Sequence, residues 1–126
     1  MSTVNVFEQH QAAREERRKY PRIRVPLQTE LHILGGRMPF RVETSDISLG
    51  GFYVEMNFTL QVGSRLDISM WLDDRKIKAS GIVVTCTPHF GNGIEFRSIS
   101  DEDLAFLASF LDRAMGPQKT APNTVH

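Results

Sequence analysis

The sequence predicts an all-β domain, a small antiparallel barrel or sandwich, followed by one C-terminal helix. Three observations predict it. Apolar and polar residues alternate in six short runs, and period-2 alternation marks a strand with one buried and one wet face. Turn residues separate the runs at spacings that suit hairpins, not the long crossovers of a parallel sheet. After the sixth run the apolar period changes from two to that of a helix. The 126 residues fit one domain, and at that size roughly two-thirds of the unfolded surface is buried without a disulfide or metal staple.

The elements follow in order. Residues 1–20 are polar and read as a loose N-terminal helix anchored by Phe7. Pro21 ends it, because the residue before a proline is driven out of helical geometry. Ile23, Val25, Leu27, Leu31 and Ile33 alternate with Arg24, Pro26, Gln28, Glu30 and His32 to give the first strand. Pro26 marks that strand as an edge or a bulge. "LGGRMP" is a turn. Phe40, Val42 and Thr44 form a second strand, alternating with Arg41, Glu43 and Ser45 and running into "SDISLGG". Phe52, Val54 and Met56 form a third. Leu66, Ile68, Met70 and Leu72 form a fourth, ended by the turn "DDRK", and Ile77, Ala79, Gly81 and Val83 a fifth. "HFGNG" carries the Asn-Gly signal of a tight hairpin, and "IEF" opens the sixth strand. Ser100 with Asp103 three residues on is a capping-box pattern. Asp101, Glu102 and Asp103 suit the first turn of a helix dipole. Leu104, Leu107, Leu111 and Met115 give that helix its apolar stripe, and Gly116-Pro117 stops it. The chain therefore divides into a flexible segment over 1–13, a domain over 14–116 and a disordered tail over 117–126.

Composition removes several classes of function. Net charge is zero, so no long-range field draws the molecule to nucleic acid or anionic lipid. Between Arg14 and Arg24, however, six cations face two anions, which suggests a local anion site. A single cysteine rules out an internal disulfide. No apolar run approaches the ~20 residues of a membrane span, and the N-terminus has no signal-peptide core. A cytoplasmic protein without membrane insertion is expected. His10, His32, His89 and His126 match no metal spacing, and no HExxH, GxSxG or Walker A motif occurs. Nothing points to an enzyme. Cys86 reads as a small core residue, Asp73-Asp74 as a solvated turn and Glu95 as an outward strand charge. Trp71 falls on the face of Asp67 and Ser69, either exposed as a contact residue or partly covered.

Two stretches remain. "RRKYPR" places Arg18 and Arg22 at RxxxR spacing with Arg17 beside them. Guanidinium forks grip phosphate bidentately and also fit the O6/N7 edge of guanine. "DISLGG" brings Asp46, Ser48, Gly50 and Gly51 together between two strands. Asp and Ser before glycine make structural turns by default, and glycines accept positive φ or a close neighbour. Taken with the arginines, Asp46 has a further use. A carboxylate accepts two hydrogen bonds from adjacent N–H donors, which guanine offers through N1 and N2. The combination suggests an anionic, guanine-containing ligand between the arginine segment and the strand junction.

With R-x-x-x-R at Arg18 to Arg22 and D-x-S-x-x-G at Asp46, Ser48 and Gly51, the sequence resembles a PilZ domain, the bacterial receptor module for cyclic di-GMP. The resemblance runs from about Arg14 to Met115 and includes "GNGIEF" and the closing helix. It implies a six-stranded antiparallel β-barrel with a flanking C-terminal helix. It also implies cyclic di-GMP as the ligand, bound by Arg17, Arg18, Arg22, Asp46, Ser48, Gly50 and Gly51, with no other cofactor. The arginines would contact guanine and phosphate, Asp46 would read guanine, and Ser48 and Gly51 would shape the phosphate side. Ligand phosphates would order a mobile arginine segment, and the changed surface would signal through a separate protein of the motility, polysaccharide or pilus machinery. Two other readings remain: an interaction adaptor with a vestigial site, and a small barrel that binds single-stranded nucleic acid. Zero net charge and phenylalanines that mostly fit core positions weigh against the second.

Overall fold

The computed structural model describes residues 22–36 and 38–116. Expectations for the N-terminal helix with Phe7, for Arg17 and Arg18, and for the tail after 116 lie outside the described residues. Among the described residues six strands, β1 (Gln28–Ile33), β2 (Phe40–Ser48), β3 (Gly51–Glu55), β4 (Arg65–Leu72), β5 (Arg75–Thr87) and β6 (Gly91–Ile99), precede a helix, α1 (Asp101–Met115). The strands close into a barrel in the order β1-β2-β3-β6-β5-β4, with every pairing antiparallel. Closure removes the exposed edges that an open sheet of this size would have to protect.

The alternating apolar residues meet inside. Leu31, Ile47, Phe52, Val54, Met70 and Ile94 are fully buried, and the rings of Phe52 and Phe96 pack 5.5 Å apart. Each such side chain contributes about 1.5–3 kcal/mol by leaving water. The turns between β1 and β2, β3 and β4, and β5 and β6 share one end of the barrel. The opposite end carries the β2–β3 turn, the β4–β5 turn and α1. Phe52, Phe96 and Phe110 are buried, but Phe58 and Phe90 are exposed at the first end with Leu34, Met38 and Val62, so fewer phenylalanines serve the core than their spacing suggests.

Several boundaries differ from the sequence reading, each for a local reason. Alternation from Ile23 onward predicts one long strand, yet β1 starts at Gln28. Pro26 has no N–H to donate, and Thr44 bridges the interruption. Its Oγ1 accepts from Leu27 N at 3.0 Å and donates to Val25 O at 2.6 Å. Residues 22–27 still run along β2, with Ile23 and Ile47 exchanging backbone bonds of 3.0 Å. The Asn-Gly pair is not a turn. The β5–β6 turn falls at residues 88–90, with His89 at φ 69°, and Asn92 lies buried inside β6. Glu95 is also fully buried, where an outward charge is expected. Cys86 is half-buried rather than in the core.

Helix α1 is capped as its sequence requires, Asp103 N donating to Ser100 Oγ at 3.1 Å. The Asp103 carboxylate does not turn back onto the cap. It accepts from Lys78 N at 3.1 Å and from Arg75 at 3.2 Å, fastening the helix to β5. The buried stripe differs from the expected one. Leu107, Phe110 and Leu111 are buried while Leu104 is exposed.

Candidate functional site

The β2–β3 hairpin positions the acidic motif. Ser48 pairs with Gly51, which leaves Leu49-Gly50 as a two-residue turn. Ser48 is fully buried, and its Oγ accepts from Gly50 N at 3.2 Å, a hydroxyl turn of the kind serine favours. Gly50 O in turn accepts from Phe96 N at 3.0 Å, tying the turn to β6. A Cβ on Gly51 would stand 2.1 Å from Ile94 O. The glycine is therefore required by the close approach of β3 and β6, independently of any ligand.

Asp46 reaches the surface through a bulge. Thr44 is buried, and strict alternation would turn Asp46, two residues later, into the core. The β2–β3 register shifts between Thr44 and Asp46. The extra residue reverses the facing, so Ile47 fills the core while Asp46 is part-exposed on the outer face.

The residues before β1 meet that face. Ile23 bridges inward-facing Ile47, and its neighbours Arg22 and Arg24 are exposed. Arg22 Nη1 donates to Asp46 Oδ1, a hydrogen-bonded ion pair with side-chain exposures of 38% and 24%. The last arginine of RxxxR and the acid of DxSxxG, 24 residues apart, thus touch. Of the sequence-predicted site residues, Arg22, Asp46, Ser48, Gly50 and Gly51 share one corner of the barrel. Arg17 and Arg18 lie outside the described residues.

Sequence reasoning passed over two other groups here. Tyr53 is the direct cross-strand partner of Asp46. Once Leu49-Gly50 is taken as a two-residue turn, counting outward from it gives that pair. Tyr53, Glu55, Met56, Asn57, Thr87, His89 and Phe90 line a groove of about 660 Å³ on the outer face. Arg24 with Glu43, Ser45 and Glu55 borders a second hollow of about 390 Å³ on the other side of β3. The surface therefore offers arginine forks, a carboxylate and an aromatic ring side by side. That donor set suits a phosphate-bearing purine. Among the described residues no group of three His, Cys, Asp or Glu is placed to hold a metal ion, and no helix is long and apolar enough to cross a membrane.

The PilZ domain model matches residues 16–113. The fold is similar to that of the Bacillus subtilis inhibitor of motility MotI/DgrA, with TM-score 0.65 and 20% identity over 79% of this chain and 52% of that one. The chain thus spans about half the length of MotI. It is also similar to the PilZ domain of CeSA from a cellulose-synthesizing bacterium, with TM-score 0.56 and 21% identity over 79% of this chain and 99% of that one. A third similar structure is Borreliella burgdorferi PlzA in complex with c-di-GMP, with TM-score 0.51 and 17% identity over 72% of this chain and 39% of that one. No match is found among curated protein sequences.

Proposed function

The chain belongs to the PilZ domain family, and we propose on that premise that it is a receptor for cyclic di-GMP, a binding module and not an enzyme. The observation that carries this reading is the meeting of Arg22 with Asp46. Two short motifs, each common by itself, converge on one surface. The ligand set is Arg17, Arg18, Arg22 and Asp46 as direct contacts, with Ser48, Gly50 and Gly51 building the turn that presents Asp46. PlzA, whose structure holds c-di-GMP, supports the choice of ligand.

Magnitudes allow the exchange that binding requires. Asp46 must turn from Arg22 to the N1/N2 edge of guanine. An ion pair this exposed is worth up to about 1 kcal/mol, whereas each hydrogen bond to a charged group contributes about 1.5–3 kcal/mol. The released Arg22 then turns to phosphate, joined by Arg17 and Arg18, and the altered surface is read by a protein partner in the cytoplasm. Leu34, Met38, Phe58 and Val62, left exposed at the far end of the barrel, support a protein as that partner.

Titration calorimetry with cyclic di-GMP, against GTP and cyclic di-AMP, tests the reading. The parent protein binds cyclic di-GMP selectively, and Arg18→Ala and Asp46→Ala each weaken binding at least about tenfold, one charge-assisted bond's worth. Equal binding by the parent and both variants would overturn the site.

A further inference from the structure

We propose that the ring of Tyr53 is a stacking surface for a nucleobase of the bound ligand, an inference that rests on the nucleotide reading above. Asp46 and Tyr53 are direct partners across the β2–β3 ladder, and the Cβ atoms of such a pair lie about 4.5–5.5 Å apart. On one flank of β2 Arg22 already meets Asp46; a base that turns its N–H edge to the Asp46 carboxylate can lay its ring system over the other flank, β3, where Tyr53 stands. Every base has a π-face, so an aromatic ring at that point holds it without needing particular hydrogen bonds.

The ring is held in place and open to ligand. Its Cε2 comes within 2.9 Å of the point where a Cβ on Gly91 would stand, so it leans across bare β6 backbone. Tyr53 is only half-buried, and its exposed side forms a wall of the 660 Å³ groove. Other described aromatic side chains are less suited. Trp71 lies between Arg41 and Lys76 on the β4 side of the barrel. Phe58 packs edge-on against Phe40 at the far end, 5.9 Å between centroids. Phe90 lines the same groove from the β5–β6 turn, at the end of the barrel away from the β2–β3 turn.

The test is calorimetric titration of cyclic di-GMP into the full chain carrying Tyr53→Phe, Tyr53→Leu or Tyr53→Ala, with thermal melts to follow folding. Tyr53→Phe binds like the parent. Tyr53→Leu, which keeps apolar bulk and loses the π-face, binds roughly tenfold to a hundredfold more weakly, as does Tyr53→Ala. Undiminished binding by Tyr53→Leu, with the parent binding, overturns the stacking role and leaves the receptor reading standing. Absence of binding by the parent overturns both. NMR of the unsubstituted protein adds a readout independent of folding changes: Tyr53 ring protons, told from those of Tyr20 with a Tyr20→Phe sample, shift upfield on ligand addition. Unmoved signals at saturation count against the proposal.

Discussion

Replacing Asn92 by alanine should be among the most damaging single changes outside the apolar core. Its side chain is fully buried in β6. Oδ1 accepts from Leu60 N at 2.8 Å, and Nδ2 donates to Leu60 O at 3.0 Å and Thr85 O at 3.1 Å. Those bonds clip the long β3–β4 connection, residues 56–64, onto the barrel wall. Alanine removes all three and leaves three backbone groups seeking partners. A buried group left unsatisfied costs about 1–3 kcal/mol; taking the lower end for each gives about 3 kcal/mol. Domains of this size have about 5–15 kcal/mol in total, and at about 4–8 °C per kcal/mol the melting temperature falls by about 12 °C or more. Asn92→Asp should do worse, because it keeps the acceptor but points a carboxylate at two carbonyl oxygens. Urea unfolding measures the loss, and faster amide exchange at Leu60 locates it. A loss below about 1 kcal/mol for Asn92→Ala, with unchanged exchange at Leu60, would refute the clip.

Other outcomes follow from the same geometry. Gly51→Ala forces a Cβ against Ile94 O and should cost about 2–3 kcal/mol as an overpacked contact; a melt within a degree of the parent's would disprove the close approach. Ser100→Ala removes the cap on α1 and should cost about 1 kcal/mol. Asp103→Ala keeps the cap bond, which uses its backbone N, but releases Lys78 N and Arg75 and should cost more; the reverse order in urea would mean that the helix is not fastened to β5 by that carboxylate. A double-mutant cycle on Arg22 and Asp46 without ligand should give a coupling of at most about 1 kcal/mol that fades in 1 M salt; a larger, salt-resistant coupling would make the pair a structural bond too strong for a ligand to displace.

The strands were legible because a closed barrel has one inside. Leu66, Ile68, Met70 and Leu72 alternate strictly, and all four are buried. Legibility ended where one residue breaks the period. Continuing the alternation of Phe40, Val42 and Thr44 puts Asp46 in the core; only the bulge turns it outward, and nothing in "VETSDIS" announces a bulge. Asn92 failed for a related reason. Asn-Gly is a turn signal because both residues tolerate positive φ, but here Asn92 was selected for its amide, which substitutes for backbone partners at Leu60 and Thr85. Glu95 defeats a rule that charged residues face water. Its register partners Gly51 and Ile82 give no sequence hint that the position is covered. The two motifs mark the candidate site, but Tyr53 belongs to neither and emerges from pairing register alone.

A packed barrel of this size has no room inside for a nucleotide, so a ligand must sit on the outer wall, which is convex and ordinarily a poor binding surface. Glycines of β6 adjoin the groove on that wall. Along one outer row Asp46 pairs with Tyr53, Tyr53 with Gly93 and Gly93 with Thr85; in the next, Glu55 pairs with Gly91 and Gly91 with Thr87. Where β6 lacks side chains its neighbours reach in, the Tyr53 ring leaning over Gly91, and Tyr53, Glu55 and Thr87 wall the groove beside it. The same glycines are required by the fold, since a Cβ on Gly91 would stand 2.2 Å from Val54 O and one on Gly93 2.5 Å from Thr85 Oγ1. Substituting them strains the barrel as well as altering the groove, so loss of binding there does not by itself show contact with ligand. Arg22, Asp46 and Tyr53 differ in kind: their side chains stand partly free of the wall that holds them, and a change at any of them alters the surface while sparing the barrel beneath.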